Sequence, residues 1–351
     1  MHSSLLEQLV DPATKEPLEL AGASAENGDI VEGRLRSGNG AEYPIVRGIP
    51  RFVADADDDQ GQTSESFGFK WEQRHTYESP KVLDWSRQWV LDRYGFGSLD
   101  EMRAFFAGQE RILDAGCGGA FTTSLWIDPQ WRDGGSAEWV GVDISTAIDV
   151  ARERLAGIDG LHFVQADVLE LPFRDGTFSS VFSEGVLHHT PSTYEALRSA
   201  ASVLADGGEL LFYVYRKKGP IREFSDDFVR DALSELGPEE AWRALEPLTQ
   251  LGRALAELDV TVDVPEEIPL LGIPAGPQNL QRLVYWHFLK LYWNEDFTAD
   301  ENNLVNFDWY HPRYAHRQTE EELRRWCEEL GLTILHLDAQ ESGFTVRARK
   351  G

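Results

Sequence analysis

Residues 111–127, R-I-L-D-A-G-C-G-G-A-F-T-T-S-L-W-I, read as a buried strand, a glycine loop and the start of a helix. Backbone built this way receives part of a nucleotide, because N–H groups at a helix start face the ligand. The reading of the chain turns on which nucleotide. A pyrophosphate and a sulfonium nucleoside ask opposite things of the charges beside the loop.

A dinucleotide loop needs G-x-G-x-x-G so that the backbone can close on a pyrophosphate. Counted from Gly116, the third glycine position holds Phe121, whose bulk blocks that approach. Asp114 stands at the strand end, where a carboxylate opposes a diphosphate. It suits a ligand bearing an ammonium and a sulfonium, as S-adenosylmethionine (SAM) does. The loop's N–H groups are then expected to meet that ligand's carboxylate.

Three further strand ends agree. V-G-V-D-I-S (140–145) closes with Asp143 and Ile144, and an acid there can accept both ribose hydroxyls. Asp143 follows Asp114 by 29 residues, against a usual spacing of about 20. The polar insertion D-P-Q-W-R-D-G-G-S-A-E (128–138) accounts for the excess. V-Q-A-D-V-L-E-L-P-F (164–173) offers Asp167 to an adenine amino group and the Val168 N–H to a ring nitrogen. The fourth strand ends F-S-E-G-V-L-H-H-T, which sets Glu184 to His189 above the carboxyl ends of the strands.

With L-D-A-G-C-G-G, G-V-D-I-S, A-D-V-L-E-L-P-F-R-D-G-T-F, V-L-H-H-T and L-A-D-G-G-E-L-L in order, residues 67–216 resemble a class I SAM-dependent methyltransferase, type 11-like. The resemblance implies an α/β fold, a doubly wound seven-stranded Rossmann-like sheet, with SAM as cofactor and S-adenosylhomocysteine as product. It implies that Gly116 and Gly118, flanking Cys117, let the backbone approach the methionine part, while Asp143 holds the ribose and Asp167 the adenine. Ala120 departs from the family, which often carries glycine there. At the N-terminus, L-L-E-Q-L-V-D-P-A-T-K-E-P-L-E-L with A-E-Y-P-I-V-R-G-I-P-R-F resembles the small zinc-ribbon-like domain that activates tRNA methyltransferases. Asp11 and Thr14 stand where zinc-binding versions place cysteines, so a structural or interaction role without zinc is expected. F-G-F-K-W-E-Q (67–73) and F-D-W-Y-H-P-R-Y-A-H-R-Q-T (307–319) resemble flanking elements of bacterial methyltransferases of this kind.

Composition narrows the partners. The 351 residues, 42% hydrophobic, can bury a large core in one or two domains. Sixty acidic against 33 basic side chains leave a formal charge of −27. Such a field repels phosphate backbones and anionic lipid, so a small-molecule acceptor is expected, with no nucleic acid and no membrane. Cys117 and Cys327 are too few for a disulfide framework or a thiolate zinc site. No leader and no membrane span is legible, which makes a cytoplasmic protein the expectation. A homo-oligomer stays open.

Four zones are expected. Residues 1–53 form a β-rich module with a hairpin through Gly38-Asn39-Gly40, and the acidic stretch 54–66 a linker. Residues 67–216 carry the SAM-binding core, with strands at 110–114, 138–143, 161–166, 178–183 and 208–215. Helices start at caps Ser145 and Ser192, the second a capping box with Glu195. Residues 217–318 interrupt the alternation as a helical and aromatic insertion, read as a lid, with a helix-like run over 282–293. Residues 319–351 supply another capping-box helix and the last two strands.

Methyl transfer from a sulfonium needs alignment and exclusion of water, and a base only when the acceptor must lose a proton. Candidates are His188, His189, His311, His316, Glu184 and Tyr215. One of the histidine pair is expected at the acceptor, and the loop bearing His311 and His316 is read as roofing its pocket. A metal held by these four finds no support in their spacing. Phe69 and Trp71 could meet a sulfonium by cation–π attraction. Cys117 has no evident base and reads as a small buried residue rather than a nucleophile. Rival readings are a SAM-binding partner without catalysis, transfer of a group other than methyl and, weakest, an NAD-dependent oxidoreductase.

Overall fold

A computed structural model of the chain describes residues 1–26, 28–53, 58–72, 80–127 and 137–351. Most of the 128–138 insertion therefore lies outside the described residues, as does the start of the expected linker. Helix α1 (Ser3–Leu6) precedes an antiparallel sheet of β1 (Leu18–Glu26), β2 (Asp29–Ser37), β3 (Glu42–Val46) and β4 (Ile49–Pro50). The β2–β3 hairpin turns where expected, with Gly40 at φ 93°, a conformation L side chains resist.

Three helices follow, α2 (Asp58–Glu72), α3 (Pro80–Tyr94) and α4 (Leu99–Ala107). The linker reading fails from Asp58 onward, since that stretch is the first half of α2. The Rossmann-like unit then runs β5 (Arg111–Ala115), α5 (Phe121–Ile127), β6 (Glu138–Asp143), α6 (Ala147–Arg154), β7 (Leu161–Gln165), β8 (Phe178–Glu184), α7 (Thr193–Val203) and β9 (Leu204–Tyr215). Next come α8 (Pro220–Leu233), α9 (Pro238–Glu257), the hairpin β10 (Thr261–Val264) and β11 (Gly276–Asn279), α10 (Leu280–His287) and α11 (Ala299–Tyr310). The chain closes with α12 (Glu320–Glu329), β12 (Leu332–Ala339) and β13 (Gly343–Lys350).

The main sheet is seven-stranded, ordered β12-β13-β9-β8-β5-β6-β7, with β13 antiparallel to both neighbours. Its side chains alternate between two cores, as the two-residue strand period requires. Leu113, Ala115, Val140, Val142, Val181 and Leu210 pack with α7, α12 and the N-terminal module. Ile112, Trp139, Phe182 and Leu211 pack with α3, α4, α5 and α6. A third core joins Tyr213 and Tyr215 of β9 to Leu245, Phe307, Trp309 and Tyr310 of the 217–318 segment.

Local signals are partly redistributed. Helix α6 starts at Ala147, and the Ser145 hydroxyl donates to Asp143 while accepting the Ala147 N–H. Ser192 does cap α7, but the Glu195 carboxylate turns to Arg198, leaving half a capping box. Thr319 and Glu322 complete theirs. The helix expected through 282–293 stops at His287. Beyond it the chain leaves the helix, and buried Asn302 and Asn306 of α11 accept the Asn294 and Tyr292 main-chain N–H groups at 2.6 and 2.8 Å.

The N-terminal module docks on the sheet's edge. The Phe52 N–H donates to Gln165 O of β7 at 2.8 Å, the Val10 N–H to Pro172 O at 2.9 Å, and Arg51 pairs with Asp149 at 2.7 Å. Leu9 bridges Phe173, which stands edge-on to Phe178 with ring centres 5.0 Å apart. Asp11, which stands where zinc-binding versions place a cysteine, accepts the Ala13 and Thr14 N–H groups and the Tyr43 hydroxyl. Phe173→Ala should cost about 3–5 kcal/mol in denaturant unfolding and make residues 1–53 the first site of proteolysis, since it empties the joint between module and sheet.

Candidate active site

A crevice of about 680 Å³, open solvent included, lies over the carboxyl ends of β5, β6, β7 and β8. The core lines it with Gly116, Gly118, Asp143, Ile144, Asp167, Val168, Glu184, Gly185, Val186, His189 and Thr190. Helix α2 supplies the other wall through Gln60, Thr63, Ser64, Phe67, Lys70 and Trp71.

The glycine loop is fastened from below. Val142 O accepts the N–H groups of Gly116 and Cys117 at 2.7 and 2.8 Å, Asp143 accepts that of Gly118 at 2.8 Å, and Cys117 O that of Ala120 at 2.8 Å. These four donors are spent within the fold, so a ligand carboxylate would have to be met by other N–H groups of the loop. Gly116 and Gly118 have φ of 83° and 53°, and a Cβ would drive into Val186 at the first and the Trp71 indole at the second. Ala120, at φ 57°, takes the left-handed turn that a glycine would hold without strain.

Asp143 is buried, and its Oδ1 accepts the Ser145 N–H and hydroxyl at 2.8 and 2.6 Å while Oδ2 takes Gly118. Burial raises its pKa and these donors pull it back. Three of a carboxylate's roughly four lone-pair sites are in use, so gripping two ribose hydroxyls requires the Ser145 hydroxyl to yield. Asp167 accepts the Leu169 N–H at 2.9 Å and the Gln60 carboxamide at 2.5 Å. That NH₂ has the chemistry of an adenine amino group, so the acid is set to receive one. Glu184 accepts from Arg93 at 2.8 Å and the Tyr94 hydroxyl at 2.7 Å, with Arg93 sandwiched 3.8 Å from both Trp89 and Tyr213.

Several expected residues face elsewhere. Asp114 alternates onto the α5 side of β5 and accepts the Thr123 hydroxyl, outside the crevice lining. Burial pushes its carboxyl up to about 7. The Cys117 thiol packs against Gly141 with its pKa raised by burial. Phe69 lies on the opposite side of α2 from Trp71, against Trp242 and Phe307. His188 is wholly buried, 3.7 Å from the Tyr215 ring, and Tyr215 in turn packs on Trp309 at 4.4 Å. His311 is a clasp: Nδ1 meets the Ser66 hydroxyl at 2.9 Å and Nε2 meets Leu236 O at 3.0 Å, tying α2 to the 217–318 segment. His316 sits in a surface recess beside Pro191 and Gln318.

His189 alone of the four histidines lines the crevice. Its Nδ1 is 2.6 Å from Tyr314 O, so Nδ1 carries the hydrogen, and Nε2 has no partner among the described residues. Burial lowers its pKa to about 4, leaving a neutral imidazole whose free lone pair is Nε2. Sequence reasoning passed over Gln60, Thr63, Ser64, Phe67 and Lys70. Their spacing of three and four is that of one helix face, but a polar stretch with Gly61 and Gly68 masks the signal.

Residues 113–212 match the family model described as a methyltransferase domain. The chain carries a methyltransferase domain over those residues. An uncharacterized protein of a Synechococcus strain is 31% identical over 257 residues, covering 70% of this chain and 51% of that protein. The malonyl-[acyl-carrier protein] O-methyltransferase of Enterobacter lignolyticus is 30% identical over 146 residues, 42% of this chain and 49% of the relative. The chain thus spans about half the length of the curated relatives it matches. Among solved structures, magnesium protoporphyrin IX methyltransferase from Synechocystis is 14% identical, with a TM-score of 0.42, covering 85% of this chain and all of that one. No helix among the described residues is long and apolar enough to cross a membrane.

Asp114→Asn tests whether this acid serves the fold or the ligand. Its folded pKa lies above the unfolded value, so its contribution to stability is fully present below pH 4 and is lost as pH rises through about 7. The amide should therefore stabilise the protein increasingly from pH 4 to 7, by up to ~4 kcal/mol. A melting series across that range reads it, alongside calorimetry showing SAM affinity within about threefold of wild type.

Proposed function

We propose that the protein transfers a methyl group from SAM to a small or medium polar acceptor whose reacting group carries a proton. The observation that supports this best is the charge of the crevice: Asp143, Asp167 and Glu184 against one ammonium, Lys70, among the described residues. A diphosphate would meet three carboxylates there, whereas a cationic sulfur compound is attracted. SAM supplies a methyl group already activated by its positive sulfur. The chain's part is to bind, orient and exclude water.

In this reading Asp143 accepts ribose hydroxyls and Asp167 the adenine amino group, replacing Gln60. The neutral His189 accepts the acceptor's proton at Nε2, while the Tyr314 carbonyl keeps the proton on Nδ1 and the ring in place. Residues 217–318 serve as a lid together with α2, joined to it through His311. The N-terminal module acts as a structural support for β7, and the acceptor is neither a nucleic acid nor a lipid surface.

Calorimetric titration with SAM and S-adenosylhomocysteine, followed by mass spectrometry of acceptors incubated with methyl-labelled SAM, tests the proposal; binding without any labelled product would defeat it. Asp143→Ala should weaken SAM binding by about 1–3 kcal/mol through loss of a buried acceptor. His189→Gln should leave that affinity unchanged and lower kcat about 10²–10⁴-fold. The wild-type rate should show no break between pH 5.5 and 8 from His189, because its titration lies near 4.

A further inference from the structure

SAM is a zwitterion at its amino-acid end, and the crevice is a poor place for the negative half. Asp143, Asp167 and Glu184 line it, so an entering carboxylate meets like charges. The N–H groups of Gly116, Cys117, Gly118 and Ala120 are already bonded within the fold. Whatever N–H groups the loop retains are neutral and do not offset three acids. A carboxylate there needs a cation, and an ammonium gives it the stronger, charge-assisted hydrogen bond.

Lys70 stands on the last turn of α2 and is the one cationic side chain among the described residues that line the crevice. Its ammonium lies 5.0 Å from the centre of the Trp71 ring and 5.4 Å from that of Phe67, both part of the same wall. The Trp71 indole in turn rests on the glycine loop: a Cβ on Gly118 would come within 2.2 Å of its Nε1, and one on Gly119 within 3.1 Å of the ring. The charge therefore stands beside the stretch of loop that the methyltransferase reading gives to the methionine part. Asp143 and His189 feel it too. It draws the Asp143 carboxyl down against the rise that burial causes, and it adds to burial in lowering the pKa of His189.

An ammonium has three donors, and Lys70 uses one, on Asp308 of α11 at 2.7 Å, with no second acceptor among the described residues. That pair anchors the side chain while 13% of it stays open to a ligand. Arg154 also approaches the loop, but it donates to the Gly119 carbonyl at 2.7 Å and lies outside the crevice lining. We infer that Lys70 is the seat of the cofactor's own carboxylate, bound through the donors that Asp308 leaves free. One ammonium then serves both the ligand and α11, which ties the 217–318 segment to the cofactor. The inference rests on the methyltransferase reading and assigns a residue to the one group of SAM that the acids of the crevice repel.

The test titrates the full chain, with no acceptor present, with S-adenosylhomocysteine and with its decarboxylated analogue, which keeps the ammonium and lacks only the carboxylate. Calorimetry should find the wild type binding the first about 10–100-fold more tightly, the range of a hydrogen bond to a charged group. Lys70→Met should bring S-adenosylhomocysteine down to the level of the analogue and leave the analogue within about threefold of its wild-type affinity. Lys70→Arg should keep the preference. Asp308→Asn breaks the same ion pair but spares the ammonium, so it should keep the preference as well. A preference that survives Lys70→Met, no preference in the wild type, or an equal loss in Asp308→Asn would overturn the inference and leave the methyltransferase reading standing. Failure of the wild type to bind either ligand removes both.

Discussion

The carboxylate of Asp143 ties the end of β6 to the glycine loop after β5. One oxygen holds Gly118, the other holds Ser145, and Val142 beside it holds the two preceding loop N–H groups. A buried anion kept in place by three short donors is stiff. It fixes where the loop stops and where α6 begins, and through Gly118 it sets the surface on which Trp71 rests. The crevice is a consequence of that knot. Its floor is rigid because its hydrogen-bonding capacity has been used on the fold.

Above the rigid floor the cover is built differently. Helix α2 touches the core through Gln60 on Asp167 and Trp71 on the loop, and touches the 217–318 segment through Lys70 on Asp308 and through the His311 clasp. Most of these contacts are polar, and the helix carries two interior glycines, each worth about 1 kcal/mol against helix formation. An open cleft of about 1210 Å³ runs along its other side, between Gly61, Gly68 and the start of α9. The cover is thus less stable locally than the sheet it covers.

Strand positions were legible because buried parallel strands read as short apolar runs between turn residues, and the acids at their ends stand where the chain leaves the sheet. Asp143, Asp167 and Glu184 reached the crevice for that reason. Asp114 did not, because it lies one residue inside β5 and the two-residue period turns it toward Thr123. The histidines show the same limit. His188 and His189 are adjacent in a single 3₁₀ turn, so one points into the core and the other into the crevice, a choice that sequence leaves open. His311 could be placed only once α2 was known, and α2 was concealed by its polarity.

The docking of the first 53 residues on β7 has a bearing on how the molecule behaves among copies of itself. An edge strand with unpaired N–H and C=O groups is a template for another chain. Main-chain contact between Phe52 and Gln165 occupies part of that template at one end of the sheet. At the far end, β12 carries an irregularity between Ile334 and His336 that bends it away from a straight ladder. With both rims blunted, strand-to-strand stacking is disfavoured, and any self-association must be written in side chains.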